Sequence, residues 1–391
     1  MRNVYVVGIG ITSFSRLEYP LAEIAAYPAM MAMKDSGISK IDHLYVANMG
    51  AGRINQQTGL ASAVIDTLSL TPAGATAIEN GPASGASAII QGFQAVASGM
   101  HDVVMVTGAE RMREVNNLEA TDFVATLTHP LAEYIYGVTL PSLAGMFTRL
   151  IMEKHGVTSR HLAMVAVKNH ANAMHNFFAH LHQPITIEAI LDSPEASTNN
   201  PFVAEPLRFF DMCPVSDGGA CLILASEDVA KKINRPKIRL AGLGQATDTH
   251  AVQERKDPTE LLAVRGAAAK AFEMAQVKPS QVNVAELHDA FTILEIVESE
   301  EVGFFKKGEG HKALERGDTS LTGKLPINPS GGLKAKGHPV GATGIGQAHE
   351  IIMQLRGEAE KRQVKNAKIG FTCNFGGFGN NVCCLVFKRE E

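Results

Sequence analysis

His338-Pro339-Val340-Gly341-Ala342-Thr343-Gly344-Ile345 can be laid over Pro82-Ala83-Ser84-Gly85-Ala86-Ser87-Ala88-Ile89, with Gly341 on Gly85 and each stretch leading into a helix of small residues. Two further pairs extend the correspondence. Val4 to Ile9 and Ile238 to Leu243 are short β-branched runs that close on glycines, and each opens one half of the chain. Ser216-Asp217-Gly218-Gly219-Ala220 leads into Cys221 to Ala225, and Gly376-Gly377-Phe378-Gly379 into Val382 to Phe387; both read as glycine turns entering buried strands. Self-similarity on this scale implies two copies of one α/β unit. Packed together, the copies bring equivalent turns face to face, and a ligand site is expected between them.

Composition agrees with a globular protein of that size. The 391 residues are 45% hydrophobic and 19% charged with a net charge of -4, so no broad basic face for nucleic acid is expected. The 36 glycines follow no collagen-like period and fit tight turns and close backbone approaches. Five cysteines without a C-x-x-C spacing fit a reducing compartment, hence a cytoplasmic location, and neither a disulfide framework nor a zinc ribbon. The start reads as a first strand rather than a signal peptide, and no apolar run is long enough for a membrane span. Gly8-x-Gly10 lacks the third glycine and the distant acid of a dinucleotide fingerprint.

The chain divides at about residue 235 into an N-terminal domain, 1–235, and a C-terminal domain, 236–391. Between Arg111 and Arg208 the strand-helix rhythm breaks into a His- and Met-rich helical stretch and a Ser/Pro/Asn-rich segment. This predicts an insertion over about 112–208 that covers the site and grips the remote part of a ligand. Its histidines, His161, His170, His175, His180 and His182, have mixed spacings and no accompanying carboxylate pattern, and no metal site is expected from them.

Three motifs fall at predicted strand ends or helix starts of the second half, where open α/β sheets collect their chemistry. They are His288-Asp289-Ala290-Phe291; Asn328-Pro329-Ser330-Gly331-Gly332 running to Gly337-His338-Pro339-Val340-Gly341-Ala342-Thr343-Gly344; and Cys373-Asn374-Phe375-Gly376-Gly377-Phe378-Gly379. In this order the set resembles the thiolase superfamily over nearly the whole chain. The H-D-A-F form and the Pro214 to Gly219 stretch are most similar to the archaeal and sterol-carrier-protein-X-like branch.

The resemblance implies two βαβαβαββ domains in five layers, α-β-α-β-α, plus the insertion domain. It implies carbon-carbon bond chemistry beside the carbonyl of an acyl-CoA, in which an enolate oxygen is stabilised and a proton moves to or from carbon. On it, His338 donates to the thioester oxygen, His288 assists through a water, Cys373 is the acid/base for the α-carbon, and Gly376 and Gly377 supply backbone oxyanion donors. Coenzyme A enters as substrate, with no covalently bound cofactor and no metal. A homodimer or tetramer is implied, with a small zinc-ribbon and OB-fold protein as a further partner.

One position departs from the pattern. Where the family reads C-A-S-G or C-G-S-G and the cysteine receives the acyl group, this chain reads Pro82-Ala83-Ser84-Gly85. Proline cannot accept an acyl group, although its fixed φ suits the start of a helix. Three outcomes follow: direct attack by CoA in a ternary complex, retro-aldol cleavage of a 3-hydroxyacyl-CoA, or a non-catalytic CoA-binding scaffold. Ser84 and Cys373 are candidate substitute nucleophiles. A short acyl group and a bulky or aryl-substituted one are equally compatible with the sequence.

Overall fold

A computed structural model of the chain describes residues 1–390. The strands are β1 (Val4–Ile11), β2 (His43–Ala47), β3 (Gly74–Ile78), β4 (Val103–Arg111), β5 (Phe202–Ala204), β6 (Leu207–Arg208), β7 (Asp217–Ser226), β8 (Lys237–Thr247), β9 (Val284–Glu286), β10 (Ile369–Gly376) and β11 (Asn381–Glu390). All but the β5–β6 hairpin form one mixed sheet in the order β3-β2-β4-β7-β1-β8-β11-β10-β9.

The duplication is visible in that order. At the junction of the halves β1 meets β8, where Tyr5 pairs with Arg239 and Val6 with Ile238. Outward on one side run β7 and β4, both joined antiparallel, then β2 and β3, joined parallel. On the other side β11 and β10 are joined antiparallel and β9 parallel, and a parallel bridge from Ala285 to Ile327 stands where β3 stands in the first half. The halves are two-fold copies in connectivity and strand sense.

Layering follows from the alternation of apolar residues along the strands. Tyr5, Val7, Leu44, Val46, Cys221 and Ile223 pack against outer helices Leu21–Ser36 and Leu60–Thr67. Phe371, Cys373, Cys384 and Val386 pack against outer helix Leu262–Ala275. Between the two halves of the sheet, Val6, Val104, Leu222, Leu385 and Phe387 enclose helices Ser84–Ala97 and Val340–Arg356. This gives the five-layered mixed α/β fold expected of the sequence.

The two inner helices start at Ser84 and Val340, which are matched positions in the sequence overlay, and cross where both carry glycine. A Cβ on Gly85 would lie 3.0 Å from the Gly344 and Ile345 nitrogens; one on Gly344 would lie 2.5 Å from the Ala86 nitrogen and 2.3 Å from Asn374 Oδ1. Backbone therefore packs on backbone, and no side chain fits between.

Between β4 and β7 lie helices Asn117–Ala125, Leu140–His155 and Ser159–Ala173, with the β5–β6 hairpin. Asn116 and Thr139 close capping boxes at the first two of these helices. Residues 176–182 then return to the second half, where His180 and Leu181 donate backbone N–H groups to the carbonyls of Lys336 and Ala335. Among the described residues, no helix is long and apolar enough to cross a membrane.

Gly344→Ala should lower stability by about 1–3 kcal/mol or more, because the clash is with backbone. Gly52→Ala, where a Cβ meets nothing within 4 Å, should change it by less than about 0.5 kcal/mol. Thermal unfolding of the two variants side by side checks the difference.

Candidate active site

Each inner helix begins at a turn, and the first of the two faces the glycine turn that follows β10. In the first half, Gly81 takes φ +53° and its N–H donates to Glu79 Oε1 at 2.7 Å. The Ser84 hydroxyl donates to the Gly81 carbonyl at 2.6 Å and accepts from the Asn80 N–H at 2.8 Å. Ser84 is fully buried, so this hydroxyl is committed to the turn on both its donor and its acceptor side. Pro82 is buried one residue before the N-cap Ala83.

Gly377 lies opposite, with its nitrogen 3.7 Å from where a Gly81 Cβ would be, while a Cβ on Gly376 would come within 2.8 Å of the Asn80 carbonyl oxygen. The Gly377 N–H has no acceptor among the described residues. Asn381 Nδ2 donates to Asn80 Oδ1 at 2.9 Å and links the turns.

In the second half, a clamp of buried polar groups fixes the segment that carries His338. Asp289 accepts the Leu333 and Lys334 N–H groups at 2.6 and 3.3 Å, capping the short helix Gly332–Lys336, and takes Asn169 Nδ2 at 2.7 Å. A Cβ on Gly332 would lie 2.2 Å from that carboxylate, which is why the Asn328 to Gly332 motif ends in glycine. Asn328 Oδ1 accepts the Leu287 N–H at 2.8 Å, and Glu286 accepts both the N–H and the hydroxyl of Ser330. Gly337 at φ +111° turns the chain, and the His338 N–H donates to Ser216 Oγ at 3.3 Å. His180 Nδ1 meets the same hydroxyl at 2.8 Å.

The result is an imidazole pair. His288 and His338 stand edge to face with ring centroids 4.9 Å apart, and Phe375 stacks on His288 at 5.2 Å. His288 is buried, and His338 retains partial exposure. Nδ1 of His288 faces Asn374 Nδ2 at 3.2 Å and the Phe375 N–H at 3.4 Å. Nδ1 of His338 meets Thr343 Oγ1 at 2.7 Å. Burial pulls His338 down to about 3; burial and the neighbouring His338 hold His288 well below its ordinary value. Both rings are neutral at physiological pH.

Cys373 does not join them. The thiol expected to be the α-carbon acid/base is fully buried, in the cluster that includes Phe371 on the outer face of β10. Burial raises it well above the ordinary thiol range, and the adjacent Cys384 and Glu298 raise it further. A thiol in such surroundings is neither a ready acid/base nor a nucleophile. It is the two following residues that meet His288, Asn374 through its amide and Phe375 through its ring, while the Cys373 thiol stays in the apolar cluster. His288 keeps its ring in the site, whereas its neighbour Asp289 serves the clamp.

Sequence reasoning missed three residues. Asn374 could have been found from the period-2 alternation of β10, and Thr343 from its i+5 spacing to His338. Glu110 had no local signal. Fully buried, it accepts N–H groups from Met49, Gly50 and Gly341 and the Asn48 amide, which ties the start of the second inner helix to the first half. Burial raises it to about 7.

The insertion histidines act as local locks: His161 on Glu315, His170 on the Gln183 carbonyl, His182 on the Asn176 carbonyl.

Two family models cover the chain: Thiolase, N-terminal domain, over residues 4–228, and Thiolase C-terminal domain-like over residues 244–389. The chain is 41% identical to an acetyl-CoA acetyltransferase of Methanothermobacter thermautotrophicus over the full length of both. It is 31% identical to sterol carrier protein 2 of Bos taurus, covering 99% of this chain and 73% of that one. Among solved structures, an Ltp2-ChsH2(DUF35) aldolase superposes with a TM-score of 0.84 at 24% identity, over 99% of this chain and 98% of the other.

Cys373→Ala should keep kcat within about threefold of the parent while lowering stability by about 1–2 kcal/mol through the small cavity it leaves. Steady-state turnover and urea unfolding of the same preparation separate the two effects; a kcat loss near a thousandfold would restore the thiol to the chemistry.

Proposed function

The chain belongs to the thiolase family, an acyltransferase-type enzyme family, and from that premise we propose that it makes or breaks the C2–C3 bond of a 3-oxoacyl-CoA without an acyl-enzyme. The observation that carries the reading is the composition of the junction. Two neutral imidazoles stand edge to face there, and the turn that leads into the first inner helix, which faces Gly377, offers Pro82 and a committed Ser84 rather than a nucleophile.

In the thiolytic direction the CoA sulfur attacks the C3 carbonyl, and its proton passes to an imidazole nitrogen. Collapse of the tetrahedral adduct forms the new thioester and breaks C2–C3, leaving the bonding pair as the enolate of the departing thioester. The second imidazole and the Gly377 N–H stabilise the oxygens that gain charge. The captured proton then returns to the α-carbon, so one base completes the cycle and no thiol acid is needed. The site residues of this proposal are His338 and His288 with Gly376 and Gly377.

Retro-aldol cleavage is the second reading. The want of a nucleophile at the Pro82 turn favours it, since a base on the 3-hydroxyl and a stabilised enolate suffice. A CoA-binding scaffold without turnover is the third outcome.

The proposal extends to assembly. β3 is a sheet edge with Thr76 and Ala77 exposed, and a second copy paired there would cover it. Exposed Leu131, Ile135 and Tyr136 follow Leu127, which packs over Gly81; they suit the small zinc-ribbon and OB-fold partner.

Intact-protein mass spectrometry during turnover of 3-oxoacyl-CoA with CoA should find product and an unmodified chain. A stable acyl adduct would defeat direct transfer, and cleavage of 3-hydroxyacyl-CoA alone would select the aldol reading. His338→Ala should reduce kcat by about a hundredfold or more with the fold retained. Ala77→Lys should shift the protein from dimer to monomer in light scattering.

A further inference from the structure

We propose that Asn374 and Thr343 are positioning residues that lock the two imidazoles in opposite tautomers, so that His288 presents an N–H and His338 a lone pair to the substrate. This rests on the reading that the imidazole pair is the reaction centre, and it moves the thioester-oxygen donor from His338, where the resemblance puts it, to His288.

At His288 one hydrogen-bond partner has a fixed direction. A backbone N–H can only donate, and that of Phe375 points at His288 Nδ1. Nδ1 therefore carries no proton, and in a neutral ring the proton is on Nε2. The Asn374 amide takes its orientation from this: Nδ2 donates to Nδ1 at 3.2 Å, whereas the turned amide would aim Oδ1 at the same lone pair.

Oδ1 is instead directed at Gly344, where a Cβ would come within 2.3 Å of it. It is buried without a hydrogen-bond partner. An unsatisfied buried acceptor costs about 1–3 kcal/mol, a poor choice for a residue that only fills space. What the amide secures is the tautomer of His288.

His338 is set the other way. Thr343 is buried, and its hydroxyl has one proton, which goes to the Pro339 carbonyl four residues back at 3.0 Å. Oγ1 is thus an acceptor toward the ring and takes Nδ1–H at 2.7 Å. Nε2 of His338 remains unprotonated. On this assignment His288 Nε2–H is the oxyanion donor and His338 Nε2 is the base that accepts the CoA thiol proton and returns it to carbon.

The titratable groups around His288 are His338 from the Gly337 turn, Glu298 from helix Thr292–Glu301, which the Cys373 thiol touches, and the adjoining Asp289. Glu298 is held well above the ordinary carboxylate range by burial, and its Oε2 accepts the His288 backbone N–H at 2.9 Å. None of these presents an acceptor to His288 Nδ1.

The test is nitrogen-15 NMR of histidine-labelled free enzyme, which reads each ring nitrogen's protonation whatever reaction the enzyme runs. His288 should show Nε2 protonated and Nδ1 bare, and His338 the converse. Either ring in the opposite tautomer overturns the assignment.

Asn374→Asp supplies an acceptor that draws a proton onto His288 Nδ1. At alkaline pH, kcat should fall about a hundredfold or more, the loss of one oxyanion donor. It should recover as pH falls and the ring becomes doubly protonated. KM should change little. Unchanged spectra and a parent-like pH profile in the variant would refute the role of Asn374. Should the variant not fold, the parent spectrum alone decides the tautomers. Correct tautomers with no turnover of any acyl-CoA would overturn the proposed function and leave this inference standing.

Discussion

The molecule depends on a contact that excludes side chains: the crossing of helices Ser84–Ala97 and Val340–Arg356 at Gly85, Gly341 and Gly344. Small residues let two backbones approach until main-chain atoms touch, and that distance is what sets how closely the turns at their N-termini can approach each other. Gly108 belongs to the same constraint, since a Cβ there would lie 2.6 Å from the Gly341 carbonyl oxygen. Larger residues at these points would separate the halves and widen the junction in which the imidazoles meet.

Around the crossing, the second half is held by buried carboxylates rather than by apolar packing alone. Helix Thr292–Glu301 is buried along its whole length and carries Glu295, Glu298, Glu300 and Glu301. Glu295 takes Lys168, Asn169 and Asn328; Glu298 takes the His288 N–H; Glu300 takes the Gly308 and Gly310 N–H groups; Glu301 takes Arg265 and Lys307. Buried ionic groups add little net stability against apolar replacements, but losing one partner is costly. Their effect is to admit one arrangement of the strand end and loop that carry His288 and of the segment that carries His338.

Chemistry at the junction follows from burial. Two imidazoles in contact would repel if both were protonated, and desolvation keeps both neutral. Neutral rings can divide the work, one as donor and one as base, provided that something outside them fixes each tautomer. A backbone N–H, an amide and a back-bonded hydroxyl meet that need without introducing a charge. Direct transfer between two CoA thioesters is consistent with such a site, because the thiol proton and the α-carbon proton can be one and the same.

Much of this was legible in the sequence. The overlay of Pro82 to Ile89 on His338 to Ile345 fixed the duplication, the matched helix starts and the meeting of turns, because glycine spacing and helix onset are local properties that repetition makes visible. The motifs at His288 and His338 located the imidazoles, the first at the end of a short apolar strand and the second directly after Gly337. What only the tertiary structure decided was which side chain of the Cys373-Asn374 pair reaches them and what Asp289, Glu110 and Thr343 do. A strand's pleat sends neighbours to opposite faces, and the sequence alone did not say which face of β10 would lie on the inner helix. Glu110 is separated from its Gly341 partner by 231 positions, and no local pattern encodes a contact made when two domains close on each other.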